Sequence, residues 1–383
     1  MALEPVQLRP HYSDFLKPDR ILLTGHSHQA WPSVAREGLL RAYADAAAHV
    51  DDKWALAMER ADHLRTAVSD YLGVERDEIA LAQNSHELAT RFLSGLNLRR
   101  RNIVTTDGEF HSLRRQLLRL QEEGVEVRWV SSAPLDTLAE RLVAESDDET
   151  AAVMLSTVQY QTAAVVPSVE TLLAVCEARE IPVLLDAYHA YGAMPNPTQL
   201  PESGQVFVTG GGYKYAQWGE GCCWMRVPPD TSMRPIYTGW FSDFAGLESP
   251  QSETLGYGRT PADRFAGSTY DPASHYRASR VLEFFHENGM TMERLRVLSL
   301  QQTQLIFDQL SDYEIVTPRG EQRGGFVSVR IANARQLVGA LRERNVFTDA
   351  RADIIRFGPA PYTTDDEMIK ALDIFKSLAV QSS

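Results

Sequence analysis

The chain is expected to form an α/β protein. A large domain would surround a mostly parallel seven-stranded sheet, and a smaller α+β domain would follow at the C-terminus. Between residues 79 and 227, seven short apolar runs alternate with helical segments, the pattern of a sheet covered on both faces. The polar clusters of that region sit just after the runs, at the carboxyl ends of the would-be strands, where open α/β sheets bind ligands. The expected division is an N-terminal arm over 1–30, the large domain over 31–264 and the small domain over 265–383.

Residues 1–20 lack strong periodicity. Ile21-Leu-Leu-Thr24 leads into Gly25-His-Ser-His-Gln-Ala-Trp-Pro32, a turn bracketed by Gly and Pro. His26 and His28 are two apart and would share a face on a strand, but no third metal ligand is visible nearby. Contact with a substrate or cofactor from a loop suits them better than metal. Segments 33–50 and 54–72 are Ala-rich and amphipathic, as helices are. Strands are expected at 79–82, 103–106, 126–130, 152–156, 182–186, 206–209 and 222–227. Helices are expected up to about 96, up to 123, and at 134–145 and 167–179. Residues 228–272 are rich in Gly, Pro, Ser and aromatics and read as a long functional loop, because Trp240, Phe241, Phe244 and Tyr257 are costly to leave in water. Helices at 273–289, 291–311, 334–344 and 365–380 are expected around strands at 314–317, 326–331, 346–348 and 354–357.

The 383 residues carry a net charge of −13, without the basic stripe of a nucleic-acid binder. No apolar run reaches the ~20 residues of a bilayer span. The first twenty residues lack a basic-then-apolar leader. Cys176, Cys222 and Cys223 are too few, and odd in number, for a disulfide framework. A cytoplasmic setting is expected.

The chain has five lysines, and Lys214 is the only one between Lys53 and Lys370. It follows an apolar strand and three glycines, between Tyr213 and Tyr215. An arginine could replace it if charge alone were needed, but not if the amine must shed its proton and form an imine. Asp186 ends the preceding strand, in Asp186-Ala-Tyr-His189. A carboxylate there needs a cationic partner or serves as a helix cap. Lysine and aspartate at adjacent strand ends are what a pyridoxal 5'-phosphate (PLP) site requires: one makes the imine and the other holds the pyridinium proton. Asn84-Ser85-His86 opens a helix and would offer N–H groups to a phosphate. Phe110 or His111 could stack on a cofactor ring or belong to the core. Arg356 stands in an apolar strand, suited to a substrate carboxylate or to a structural salt bridge.

In order and spacing these stretches resemble the class V aminotransferase superfamily, the fold-type I PLP-dependent enzymes, and within it kynureninase. The likeness runs from about residue 21 to 370. It rests on Asp186-Ala-Tyr-His189, Gly212-Tyr-Lys-Tyr215, Gly239-Trp-Phe241, Ile355-Arg-Phe-Gly-Pro-Ala-Pro-Tyr362, Val158-Gln-Tyr-Gln-Thr162 and Leu22-Leu-Thr-Gly-His-Ser27. The resemblance implies that Lys214 is the imine lysine and proton shuttle, that Asp186 pairs with the ring nitrogen, and that His189 lies beside it. It also implies that Tyr213 and the 84–86 turn hold the phosphate, that His111 or Phe110 stacks on the ring, and that Arg356 binds the substrate carboxylate. Trp240, Ser268 and Thr269 would reach the site, from the same chain or from a second subunit, and His26 would contact the substrate. A homodimer acting on an amino acid is implied, by hydrolysis of a kynurenine-type substrate or by transamination; a lyase such as a cysteine desulfurase is disfavoured, because no cysteine follows Cys223. Where kynureninases recognise the aromatic amine with Asn, this sequence has Thr269, which puts kynurenine itself in question.

Overall fold

The computed structural model describes residues 2–97, 102–201, 203–248 and 254–381. Its strands are β1 Ile21–Leu22, β2 Ile79–Ala82, β3 Asn102–Thr106, β4 Glu126–Val130, β5 Thr150–Ser156, β6 Val183–Asp186, β7 Val206–Gly211, β8 Cys223–Arg226, β9 Val327–Arg330, β10 Val346–Phe347, β11 Asp349–Arg351 and β12 Ile354–Phe357. Its helices are α1 Pro5–Leu8, α2 Ala35–His49, α3 Lys53–Leu72, α4 Ser85–Gly95, α5 His111–Glu122, α6 Leu138–Glu145, α7 Val169–Ala178, α8 Ala273–Glu287, α9 Met292–Gln309, α10 Ala334–Glu343 and α11 Asp365–Gln381.

The seven expected strands form one sheet in the order β2-β8-β7-β6-β5-β3-β4. It is parallel throughout except at β8, which runs antiparallel to both β2 and β7. Successive side chains point to opposite faces, so Val183 and Leu185 enter one apolar cluster while Leu184 enters the other. The antiparallel strand is tied in by Arg226, which pairs with Glu78 at 2.6 Å and donates to the Val206 carbonyl at 2.6 Å.

A three-stranded antiparallel sheet, β11-β12-β9, forms the C-terminal layer with α9, α10 and α11. The expected strand at 314–317 is reduced to one bridge, Ile315 to Val329. The run expected at 346–348 is β10, which pairs with β1, and β11, which was not expected, follows it and pairs with β12. Ile21 and Leu23 of the N-terminal segment thus pack in the core of the small sheet. Conversely, Ala278 and Val281 of α8 lie in the core of the large sheet, although that helix falls after residue 264. The 228–272 stretch contains the 3-10 segments Trp240–Glu248 and Ala262–Phe265. No helix among the described residues is long and apolar enough to cross a membrane.

Candidate active site

β7 ends in Gly210-Gly211, and after Gly212 the chain turns to present Lys214. The glycines serve close packing: a Cβ on Gly211 would lie 2.3 Å from the Tyr188 hydroxyl, and one on Gly212 would lie 2.4 Å from the Trp218 ring. A hydroxyl side chain therefore has no room at either position, and these residues bring only backbone groups to any phosphate.

Lys214 is 5% exposed, and its Nζ lies 2.8 Å from His189 Nε2. Nζ also sits 4.6 Å from the Tyr188 ring centroid and 5.4 Å from that of Phe110. Burial lowers the amine to about pH 7 despite the opposing pull of Asp186. Burial, and then the charges of Lys214, Arg356 and His26, hold His189 well below its ordinary range. His189 is therefore neutral. If Nε2 accepts from the Lys214 amine, the proton falls to Nδ1, which has no hydrogen-bond partner among the described residues.

Asp186 closes β6 and opens on the same cavity of about 280 Å³. It accepts one hydrogen bond, from the Tyr188 N–H at 2.8 Å. Burial raises its pKa against the effects of that N–H and of Lys214. A carboxylate in this position gains from a charged N–H donor arriving in the cavity. At the other end are Asn84, Ser85 and His86, where α4 begins, together with Tyr213. Asn84 caps the helix by accepting the Glu87 N–H at 2.9 Å. His28 stacks on Tyr213 with centroids 4.8 Å apart. A ring acceptor for a charged N–H, an amine of lowered pKa and a helix N-terminus thus line one cavity. The expected cofactor needs those three parts, and the residues fit it.

The remaining expected residues are placed differently. Phe110 lines the cavity, but His111 is exposed as the first residue of α5 and does not. Ser268 and Thr269 border a separate cavity of about 730 Å³, which shares Gln83 with the first. The Trp240 indole donates to Thr269 Oγ1 at 3.2 Å and stacks on Phe241 at 4.4 Å, which holds it on that side. Within one chain, then, Trp240, Ser268 and Thr269 do not line the Lys214 cavity. His26 is fully buried away from the cavity wall, with Nε2 2.8 Å from Asp349 Oδ1. Burial lowers its pKa to about 4. Arg356 has an internal partner as well: Nε donates to Asp349 Oδ1 at 2.8 Å, a second N–H goes to Oδ2, and a third goes to the Tyr160 carbonyl at 2.6 Å. Two of its five N–H donors have no partner among the described residues.

Four side chains at or behind the site escaped the sequence reading. Tyr160 and Tyr188 line the cavity, Asp349 neutralises Arg356, and Glu109 lies buried behind Ser156. An aspartate seven residues before Arg356, across a tight turn, was the available signal for the third.

A family model described as the kynureninase C-terminal domain matches residues 295–375. An uncharacterized aminotransferase, YcbU, of Bacillus subtilis is 22% identical over 86% of this chain and 87% of its own length. A kynureninase of Shouchella clausii is 30% identical over 62% of this chain, and the match spans only 56% of that enzyme. One of Pseudomonas fluorescens is 26% identical over 96% of this chain and 91% of its own. Among solved structures, a mutant of C-DES with glycine covalently linked to its PLP cofactor superposes with a TM-score of 0.84 at 19% identity, covering 96% of this chain and 98% of that one. The apo cysteine desulfurase of Thermococcus onnurineus gives 0.80 at 16% identity, with both chains covered in full. Likeness at such identities shows a common fold. The chain is thus similar in sequence to kynureninases and to an aminotransferase, and it has the fold of PLP-dependent enzymes.

Proposed function

We propose that this enzyme uses PLP to act on an amino acid, and that its reaction is a kynureninase-like hydrolysis releasing alanine from a γ-carbonyl substrate. The observation that carries the proposal is a buried Lys214 amine 2.8 Å from His189, on the cavity that Asp186 opens onto. Bound PLP supplies an electron sink for negative charge on the carbon beside the substrate amine. Asp186 keeps the ring nitrogen charged, Phe110 covers a ring face, and Tyr213 with the start of α4 takes the phosphate. Lys214, lowered to about 7, can both accept and return a proton at neutral pH. His189 holds that amine in place. The two free N–H groups of Arg356 take the substrate carboxylate, with Asp349 fixing the plane of the guanidinium.

Hydrolysis is preferred because the family match over 295–375 contains Arg356 and its partner Asp349. Transamination is the second reading, favoured by the likeness to YcbU along most of both chains. A desulfurase reaction lacks a nucleophile here. Burial pushes the Cys222 and Cys223 thiols up to about 12 and about 11, and no cysteine follows them. The holoenzyme should release alanine from kynurenine or 3-hydroxykynurenine with no keto acid present. Turnover of amino acids only when a keto acid is added would replace hydrolysis with transamination.

The working form is proposed to be a cytoplasmic homodimer. Ile236, Tyr237, Trp240, Phe244 and Leu247, and Leu255 further on, are all exposed, apolar surface that suits a second copy. A partner docked there would also bring Trp240 and Thr269 towards a neighbouring site. Sedimentation should give twice the chain mass, and Trp240→Glu with Phe244→Glu should give the monomer. A monomeric wild-type protein would remove this part of the proposal.

A further inference from the structure

Glu109 precedes the cavity residue Phe110 and is 1% exposed. Its carboxyl bridges two neighbouring strand ends. Oε1 accepts from Thr106 Oγ1, at the end of β3, at 2.6 Å and from the Ser156 N–H at 3.1 Å. Oε2 accepts from Ser156 Oγ, at the end of β5, at 2.7 Å. Ser156 lines the Lys214 cavity and is the register partner of Asp186 on β6. Two carboxyl groups thus flank one strand end, Glu109 behind the serine and Asp186 on the cavity side.

Resting on the PLP reading above, we propose that Glu109 is a positioning residue that acts through Ser156 and loses a proton when Asp186 gains its cationic partner. With Glu109 ionised, the Ser156 hydroxyl donates back to Oε2 and turns its lone pairs to the cavity. With Glu109 protonated, the carboxyl donates to Ser156 Oγ, and the serine turns its own hydrogen outward instead. The proton that leaves Glu109 passes to Ser156 Oγ as the serine gives its own hydrogen to solvent water entering the cavity, and from there to bulk buffer, so the hydroxyl is both switch and exit. Burial raises the Glu109 carboxyl to about 7; Thr106 and Ser156 oppose that rise and the charge of Asp186 adds to it. Asp186 is the titratable group acting on Glu109, and Lys214 and His189 lie across the same cavity. A cation on Asp186 removes the like-charge repulsion and lowers the pKa of Glu109. Affinity for the cation-bearing ring therefore rises with pH, because the bound state holds fewer protons.

Pyridoxamine 5'-phosphate is the probe, since it has no aldehyde and cannot condense with Lys214. Titration of apo protein near pH 7 in two buffers of different ionisation enthalpy counts the protons released. Glu109→Gln should release fewer protons than wild type, and the pH dependence of its affinity should flatten by up to about tenfold across pH 5–8, the size of a one-unit shift. Ser156→Ala keeps the carboxyl and should weaken binding by about five- to tenfold where Glu109 is ionised, the size of one lost hydrogen bond. Equal proton release by wild type and Glu109→Gln, or unchanged affinity in Ser156→Ala, would overturn the inference. If wild type does not bind the probe at all, the cofactor reading fails instead.

Discussion

Lys214→Met will abolish turnover and covalent cofactor attachment while leaving the apo protein more stable than wild type. The loss should be at least about 10³-fold, since the variant lacks both a nucleophile and a proton-transfer group. Borohydride treatment of the wild-type holoenzyme should fix the cofactor on the peptide containing Lys214, and the variant should yield no such peptide. The stability gain follows from the lowered pKa of the buried amine. Between the folded value of about 7 and the ordinary lysine value of 10.5, the unfolded chain holds the proton more tightly. The penalty is absent above that upper value, grows as the pH falls, and is complete below about 7. Methionine fills the space without a charge, so apo Lys214→Met should gain on the order of a few kcal/mol at pH 7 in urea unfolding. Loss of function with a gain in stability marks a residue kept for chemistry. In the wild type, covalent attachment should quicken as the pH rises from 6 to 8, because only the neutral amine attacks. An attachment rate that is flat over that range would contradict a buried amine with this pKa.

The sheet was legible because its signal is local. Seven apolar runs with polar residues at their ends specify strands whatever their neighbours, and the antiparallel course of β8 needs only the short return from 211 to 223. Lys214 stood out because arginine carries the charge elsewhere in this chain. Glu109 did not, because in Asp107-Gly-Glu-Phe110 it reads as a solvated turn carboxylate. Its burial depends on Ser156, 47 residues away. The choice between Phe110 and His111 turns on where α5 begins, a detail that one residue decides. Phe110 is the N-cap with extended backbone and its ring faces the cavity, while His111 starts the helix on the solvent side. The placing of Ser268 and Thr269 could not follow from spacing, since the 228–272 stretch has no periodicity to fix its path. Ile21 and Leu23 belong to the small core through pairing with residues more than 300 positions on, and no local pattern encodes that.

Asp349→Ala is expected to destabilise the protein by about 3 kcal/mol, the low end of the penalty for stranding one partner of a buried pair, because the Asp349 side chain is 21% exposed. Arg356 is 3% exposed, and its side chain is bound to Asp349 through two N–H groups. The β11–β12 register sets Asp349 directly opposite Arg356, so the pair is built into the hairpin. His26 adds a third bond to the same carboxylate. Burial would raise the Asp349 pKa, but His26 and Arg356 outweigh it and hold the carboxyl well below the ordinary carboxylate range. That contribution is fully present above the ordinary range, around pH 4, and is lost as the pH falls towards the folded value. The acid limb of a wild-type stability curve should therefore be steeper than that of Asp349→Ala. Removing the stranded charge as well, in Asp349→Ala with Arg356→Met, should recover much of the loss, and a double-mutant cycle in urea measures the coupling. The kinetics test the substrate role separately. If the free N–H groups of Arg356 hold the substrate carboxylate, Asp349→Ala will raise KM more than it lowers kcat, because the contact exists equally before and during the chemistry. An unchanged KM would leave Asp349 and Arg356 as a strut between two strands, and the carboxylate would have to be held by a different group, one that lines the cavity.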